Sequence, residues 1–356
     1  MNADTFAFEG ATVSAVVPTF RRPEILAETL RALTATDYPP DLLDVVVVDD
    51  AAEPATTRVV SAFEGGAVAV RYRSQKRRGA AAARNLGARL ATGKVLLFVD
   101  DDIILRPDSV RRQLGALARY APCAANTRWE FTPALLEALE LTPFGRYRLE
   151  IERWVKSRIE KKRLDGPYLE AEGMTACFLA IERDHFWRIG GFDEMFPYAG
   201  AEDQEFSIRA RAAGLRLIYD EGHEVWHNDH RLSVRQFCER QRRGTVSAVY
   251  LAAKHPASHA PRPLIVENLR ILPSDSRRVA AKKLAKTALA VRPVYAALFA
   301  LTGVLERLWP RSPSLPKLYW WLCGVAIFKG VREGVRALRP DERRALETAP
   351  SGRDRV

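Results

Sequence analysis

The stretch Lys94-Val-Leu-Leu-Phe-Val-Asp-Asp-Asp-Ile-Ile-Leu-Arg-Pro-Asp108 decides how this chain is read. Val95 to Val99 are five apolar residues without a break, the pattern of a strand covered on both faces, as in a parallel sheet. Three carboxylates follow at once: Asp100, Asp101 and Asp102. Adjacent like charges hold one another's pKa values up unless a cation or hydrogen-bond donors compensate. Open α/β sheets place their ligands at the carboxyl ends of the strands. A hard divalent ion such as Mg2+ or Mn2+, shared with substrate phosphates, is the natural compensator there. A solvated acidic turn is the plainer alternative.

Upstream, the β-branched run Thr12 to Val17 predicts a first strand ended by Pro18, with a loop from Pro18 to Pro23. A helix is predicted over 24–36, stopped by Tyr38-Pro-Pro. Val45 to Val48 predicts a second buried strand, which runs into Asp49 and Asp50. A helix over 55–63 and a strand over 67–72 follow. Gly79 opens an alanine-rich helix, and Gly93 is expected to cap its C-terminus. Strands alternating with helices mean an α/β fold with a doubly wound parallel sheet. No G-x-G-x-x-G follows the first strand, so the dinucleotide-binding fingerprint is absent. Two strands of this sheet end in paired acids on the same edge. That suits a nucleotide with a base or ribose to hydrogen-bond and a diphosphate to hold.

Downstream, Ser109 to Tyr120 predicts a helix. Residues 133–163 predict a long amphipathic one with Leu135, Leu139, Ile151, Trp154 and Ile159 on its apolar side, either a packing face or a lid. Gly173 to Ile181 returns to strand, and Glu182 to Ile189 is a short helix closed by Gly190-Gly191. The helix over 201–214 carries Glu202, Asp203 and Glu205 in its first turn, where the helix dipole favours negative charge. Leu215 to Tyr219 and Glu224 to Trp226 predict two short strands, the second leading into His227.

Hydrophobic content of 47% and charged content of 28% fit a soluble globular protein. No apolar leader follows Met1, so no signal peptide is expected. Four scattered cysteines suit a reducing compartment and neither a zinc site nor a disulfide framework. The net charge of +11 is unevenly placed: residues 261–356 hold nineteen Lys/Arg against eight Asp/Glu, whereas the first 260 balance at 36 each.

Taken in order, six segments resemble the family 2 inverting glycosyltransferases of the GT-A (Rossmann-like) fold, over residues 12–250. They are Val-Val-Pro-Thr-Phe-Arg-Arg, Val-Val-Asp-Asp, Gly-Ala-Ala-Ala-Ala-Arg-Asn-Leu-Gly, Phe-Val-Asp-Asp-Asp, Gly-Gly-Phe-Asp-Glu and Glu-Asp-Gln-Glu-Phe-Ser-Ile-Arg. The resemblance implies a mostly parallel sheet flanked by helices, a nucleoside-diphosphate sugar as donor and Mn2+ or Mg2+ as cofactor. It implies that Pro18, Thr19 and Arg21 line the nucleotide site, that Asp50 accepts from the base, and that Arg84 lies by the donor. Asp100 and Asp102 would be the outer acids of an Asp-x-Asp motif, with Asp102 the direct metal ligand and Asp100 or Asp101 nearer the ribose. Asp203 would be the general base, and His227 the histidine placed against metal or diphosphate, although a lone histidine at a strand end also suits plain packing. Inversion needs an acceptor hydroxyl attacking opposite the departing diphosphate and a carboxylate to take its proton. Two departures stand out. Ala51-Ala52-Glu53 follows the second strand where the family often has Gly-Ser. Gln241-Arg-Arg-Gly-Thr245 resembles the Gln-x-x-Arg-Trp segment of processive synthases but lacks the Trp, which implies transfer of one sugar or a few.

The expected organisation is a catalytic domain over 1–255, with a nucleotide-binding half at 12–108 and an acceptor half at 170–250. A basic, aromatic helical appendage over 256–338 and a disordered tail over 339–356 would follow. The apolar runs Val294 to Trp309 and Leu318 to Val331 are shorter than a membrane span, flanked by Lys and Arg, and carry Trp and Tyr. They suit interfacial helices on an anionic membrane. A helical cap or a homodimer interface is the alternative, and nucleic acid is disfavoured because the basic residues alternate with apolar runs. Together these features predict a non-processive, metal-dependent transferase at the cytoplasmic membrane face, acting on an envelope-glycan or lipid-linked hydroxyl. A nucleotidyltransferase and a non-catalytic nucleotide-binding scaffold are the rival readings.

Overall fold

The computed structural model describes residues 8, 10–157, 161–230, 232–256, 262–273 and 275–348. The chain divides into two compact units, one of residues 1–135, 158–195 and 202–229, the other of 136–157, 196–201 and 230–356. The division therefore falls near residue 230 rather than at 255, and the second unit also takes two segments from inside the expected catalytic domain.

The first unit opens with β1 (Val13–Thr19), α1 (Pro23–Thr34), β2 (Leu43–Asp49), α2 (Pro54–Ser61), β3 (Ala69–Ser74), α3 (Ala80–Leu90) and β4 (Val95–Val99). β1 lies between β2 and β4, all parallel, with β3 outside β2. Alternate residues of these strands face two separate cores, as the pleat requires. Val13, Ala15, Val17, Leu97 and Val99 pack with Leu26, Leu30 and Leu33 of α1. Val16, Leu96 and Phe98 pack with Ala81 and Ala88 of α3. α3 lies close to the sheet because Gly87 has no side chain; a Cβ there would come within 2.3 Å of Val16 Cγ1. β1 runs on through Pro18 to Thr19, two residues past the expected end at Val17, so Thr19 reaches the edge where β2 and β4 deliver their acids.

The sheet continues beyond β4 as a mixed one. β5 (Ile103–Ile104), α4 (Ser109–Tyr120), β6 (Cys123–Phe131), α5 (Pro133–Glu140), α6 (Pro143–Lys156), β7 (Lys161–Arg163), β8 (Tyr168–Ala171), β9 (Phe178–Glu182), α7 (Arg183–Ile189), α8 (Glu202–Ala212) and β10 (Arg216–His227) follow in the chain. The strand order is β3-β2-β1-β4-β9-β6-β10-β8-β7, with β5 paired to β10. The α/β class and the parallel half of the sheet agree with the sequence.

Several local expectations are corrected. β6 carries Asn126-Thr127-Arg128 in mid-strand, which breaks the apolar signal. The Thr127 hydroxyl is spent on the irregular stretch of the neighbouring strand: Thr127 Oγ1 lies within hydrogen-bond reach of the Asp220 carbonyl at 2.9 Å and that of His223 at 2.6 Å, where the register of β10 shifts. The two short strands expected over 215–226 are one, β10, whose register shifts between Asp220 and Glu224. The long helix expected over 133–163 is two helices and a strand, with Thr142 capping α6 through Gly145 N at 3.0 Å; Ile159 lies outside the described residues. Gly93 is no cap. It lies beyond the end of α3, where a Cβ would meet Ser14 N at 2.6 Å, so it marks a close approach to β1.

The second unit is helical. α9 (Val234–Lys254), α10 (Arg262–Val266), α11 (Arg277–Leu289), α12 (Arg292–Leu308), α13 (Leu315–Ala337) and α14 (Pro340–Thr348) follow among the described residues. α13 is packed along its length against α9 and α6, with the buried Tyr319 edge-to-face on Phe144 and tilted against Tyr147. Its apolar run is thus core rather than a free interfacial face. α14 replaces the disordered tail expected there over 340–348, packing Leu346 with Val249 and Ala252 of α9. Cys238 and Cys323, far apart in sequence, bring their thiols to 3.7 Å in this unit.

Candidate active site

The edge formed by the carboxyl ends of β1, β2 and β4 gathers most of the charged residues singled out in the sequence. Asp100, Asp101 and Asp102 leave β4 in three directions. Asp101 is fully buried; it accepts from Thr19 Oγ1 at 2.6 Å and pairs with the Arg22 guanidinium. Burial raises its pKa most, with Asp102 adding to that against the pull of Arg22, and the net result is a carboxyl pushed up to about 7. Asp102 pairs with Arg22 at 2.7 Å and faces His227 Nε2 at 3.3 Å. Asp100, partly exposed, accepts from Arg84 at 2.7 Å.

His227 is brought there by β-pairing rather than by sequence proximity. β10 runs antiparallel to β5, so His227 lies opposite Ile103, and Asn228 N donates to Asp102 O at 2.7 Å. Trp129 and Phe131 wall the imidazole at ring distances of 4.8 and 6.2 Å. Its Nδ1 is buried without a hydrogen-bond partner among the described residues. The ring is therefore held by packing, with Nε2 aimed at the acids.

Arg84 joins two parts of the site. Buried in α3, it donates to Glu202 at 2.9 Å as well as to Asp100. Burial opposes its charge, but the two carboxylates outweigh that and hold its pKa above the ordinary value. The next residue, Asn85, binds both the carbonyl of Phe192 (2.8 Å) and its N–H (2.9 Å), clamping the Gly-Gly-Phe turn. Glu202 and Asp203 open α8. Glu202 is spent on Arg84, whereas Asp203 is half-buried, accepts only from Gln204 N at 2.8 Å, and has no ion pair among the described residues. Desolvation and the neighbouring Glu202 push Asp203 up to about 7, against Arg84. A carboxyl so placed is poised to take a proton near neutrality.

The remaining candidates are more occupied than the sequence suggests. The Asp50 carboxylate accepts from Gln75 Nε2 (2.8 Å), Arg78 N (2.7 Å) and Gly79 N (2.9 Å), which fixes the entry to α3. A carboxylate has about four acceptor positions, so one remains for a ligand. Pro18 contributes backbone only, in mid-sheet. Arg21 is exposed, sits over the Phe20 ring at 5.2 Å and has φ 57°. Arg22, which no spacing in the sequence marks, takes the place expected of Arg21. Ala52, after β2, is the other non-glycine residue of positive φ (54°) among the described residues. A left-handed backbone at two adjacent strand ends costs on the order of 1–3 kcal/mol each and is typical of ligand-holding turns. Cys177 was also not anticipated. Its thiol is pushed up to about 12 by burial and by Asp100, which keeps it a neutral part of the wall.

Among the described residues, no three His, Cys, Asp or Glu side chains converge closely enough to cage a metal. The donors that do face one another are a carboxylate, Asp102, and an imidazole, His227, with Asp100 on the same strand end. The carboxylates suit a hard divalent ion that completes its shell with water and substrate phosphates, and the imidazole beside them favours Mn2+ over Mg2+.

The fold is that of the GT-A glycosyltransferases. The sequence model of glycosyl transferase family 2 matches residues 14–190, and that of the N-terminal domain of galactosyltransferase matches 153–230. The validoxylamine A glucosyltransferase of Streptomyces hygroscopicus subsp. limoneus is 29% identical over 246 residues, 61% of this chain and 52% of that one. The glucosyl-dolichyl phosphate glucuronosyltransferase of Haloferax volcanii is 36% identical over 224 residues, 60% of this chain and 68% of that one. A mannosyltransferase from Pyrobaculum calidifontis, solved with GDP-Man and Mn2+, shares the fold with a TM-score of 0.56 and 21% identity over 90% of this chain and 87% of that one. The chain belongs to glycosyl transferase family 2. It spans about half the length of the validoxylamine A relative and less of a chondroitin synthase from Escherichia coli, of which it covers 34%.

Proposed function

We propose that this glycosyltransferase moves one sugar from a nucleoside-diphosphate donor to an acceptor hydroxyl with inversion at the anomeric carbon. The observation that carries the reading is Asp203, an acid with no ion pair among the described residues, near Arg84 and Asp100. The acceptor oxygen attacks the anomeric carbon as the bond to the diphosphate oxygen breaks, and the hydroxyl proton passes to Asp203. The nucleoside diphosphate leaves with the bonding electron pair. Thr19 and the free position on Asp50 face the nucleoside, and Arg84 holds Asp100 and Glu202 in place. Asp102 and His227 would hold a divalent ion, its shell completed by water and donor phosphates; such an ion supplies charge to offset that developing on the diphosphate. Binding it requires Arg22 to yield at least one contact to Asp102. The acceptor is a lipid-linked or envelope glycan, a choice supported by the dolichyl phosphate in the Haloferax relative's name. The setting is the cytoplasmic side of the membrane.

Product analysis tests this. Incubation with nucleotide sugars and Mn2+ should release nucleoside diphosphate and give a glycoside of inverted configuration. Asp203→Asn should abolish transfer while nucleotide binding survives; persistent transfer would remove Asp203 from the role of base.

A further inference from the structure

α12 is apolar on both of its faces. Tyr295, Phe299 and Thr302 turn inward, with Phe299 and Thr302 buried. The opposite stripe, Val294, Ala297, Leu301, Val304 and Leu308, follows the 3-4-3-4 spacing of a single helix face and is exposed throughout. Its large members are 41–61% exposed, as is Trp309 at its end, and Trp320 stands at 47%. Ala296 and Ala300 widen the stripe without adding polarity.

The charge beside it is of one sign. Arg292, Arg307, Arg311 and Lys317 are exposed on and after α12, and Arg277, Arg278 and Lys282 on α11. Lys282 also lies 6.0 Å from the Trp320 ring. Between residues 277 and 320 the one acid is Glu306, which is not exposed and accepts from Tyr319 at 2.7 Å.

We infer that the outward stripe of α12, with Trp309 and the basic residues around it, docks on an anionic lipid bilayer. An apolar face ringed by Lys and Arg and tipped with Trp has the chemistry of a helix lying in the headgroup layer. Among the described residues no single helix is long and apolar enough to span, and α11 and α12 meet at 89°, which breaks the continuous apolar length of a straight span. A second copy of the chain fits the stripe less well. Helix seams between copies carry acids and bases in register on their flanks, whereas here two basic flanks would meet. The inference does not depend on which sugar is moved.

Flotation of the full chain with vesicles tests it. The protein should bind equimolar phosphatidylglycerol and phosphatidylcholine, bind phosphatidylcholine alone at least tenfold less, and release as salt rises. Brominated lipid should quench tryptophan emission in the bound form. Leu301→Asp with Val304→Asp, at exposed positions, should cut binding more than tenfold with helical content retained. Arg277→Gln, Arg278→Gln and Lys282→Gln together should lower it by roughly a hundredfold, at about fivefold per charge. No binding to the anionic vesicles, equal binding to both, or binding indifferent to the α12 pair would overturn the proposal. So would sedimentation showing a dimer that the α12 pair dissolves while vesicles go unbound.

Discussion

Arg84 and Glu202 lie 118 residues apart in the chain and meet at 2.9 Å, fully buried. Through the same guanidinium, Glu202 is tied to Asp100, so the strand end that presents the acids and the helix that presents Asp203 share one cation. Removing it leaves two carboxylates facing each other with one of them out of water.

Arg84→Leu should therefore destabilise the protein by about 3–5 kcal/mol, the usual cost of leaving a buried partner unpaired. Arg84→Lys keeps the charge but offers one point where two directed bonds are needed, and should recover part of the loss. Urea denaturation with an unchanged slope separates a stability effect from a change in compactness.

The raised carboxyls give pH dependence a definite sign. Asp203, pushed up to about 7, serves as a base only when ionised, so the rate of transfer should rise with pH through about 7. Glu202 raises Asp203 and competes for Arg84. Glu202→Gln should accordingly move the acid limb of the kcat/KM profile to lower pH. An unmoved limb would assign it to another group. Stability follows the opposite course. Because the folded state holds these protons more tightly, the stability contributed by Asp101 and Asp203 is complete below the ordinary carboxyl pKa and is lost as pH climbs through about 7. Thermal unfolding without added metal, compared at about pH 5 and about pH 8, reads this difference.

The acids of the site were legible because they end runs of apolar residues, a pattern that survives in one dimension. Asp49, Asp50 and the triplet after Val99 are of this kind, and so is the position of Asp203 in a first helical turn. What was not legible depends on partners distant in sequence. Nothing in Pro-Thr-Phe-Arg-Arg distinguishes Arg21 from Arg22; the left-handed turn at Arg21 turns one outward and the next toward Asp101 and Asp102. The occupation of Asp50 by Gln75, Arg78 and Gly79 likewise requires knowing that β3 lies beside β2. β6 was hidden because its polar residues are satisfied by partners distant in sequence, chiefly at the irregular stretch of β10.

His227 offers a metal test that does not need turnover. With Nε2 facing Asp102 and the ring fixed between Trp129 and Phe131, His227→Ala should weaken Mn2+ binding by about 10- to 100-fold, the range seen when a group that orients or completes a metal site is lost. Titration calorimetry with Mn2+ and a nucleoside diphosphate measures it. Unchanged affinity would leave His227 a packing residue.

Two helical glycines of the second unit, one packed and one in open space, predict substitutions of opposite sign. At Gly330 a Cβ would lie 2.4 Å from the Arg242 carbonyl oxygen and 2.9 Å from Thr245 Cβ. A backbone carbonyl within a helix cannot rotate aside, so overpacking costs near the top of the usual ~1–3 kcal/mol, more than the ~1 kcal/mol that alanine gains over glycine in a helix. Gly330→Ala should lose about 2 kcal/mol on balance. Gly303, in α12, has nothing within 4 Å of its Cβ position, so only the helix term acts. Gly303→Ala should gain about 0.5–1 kcal/mol. Calorimetric unfolding of the two variants decides the matter, since a stabilised Gly330→Ala would mean that α9 and α13 separate at no cost.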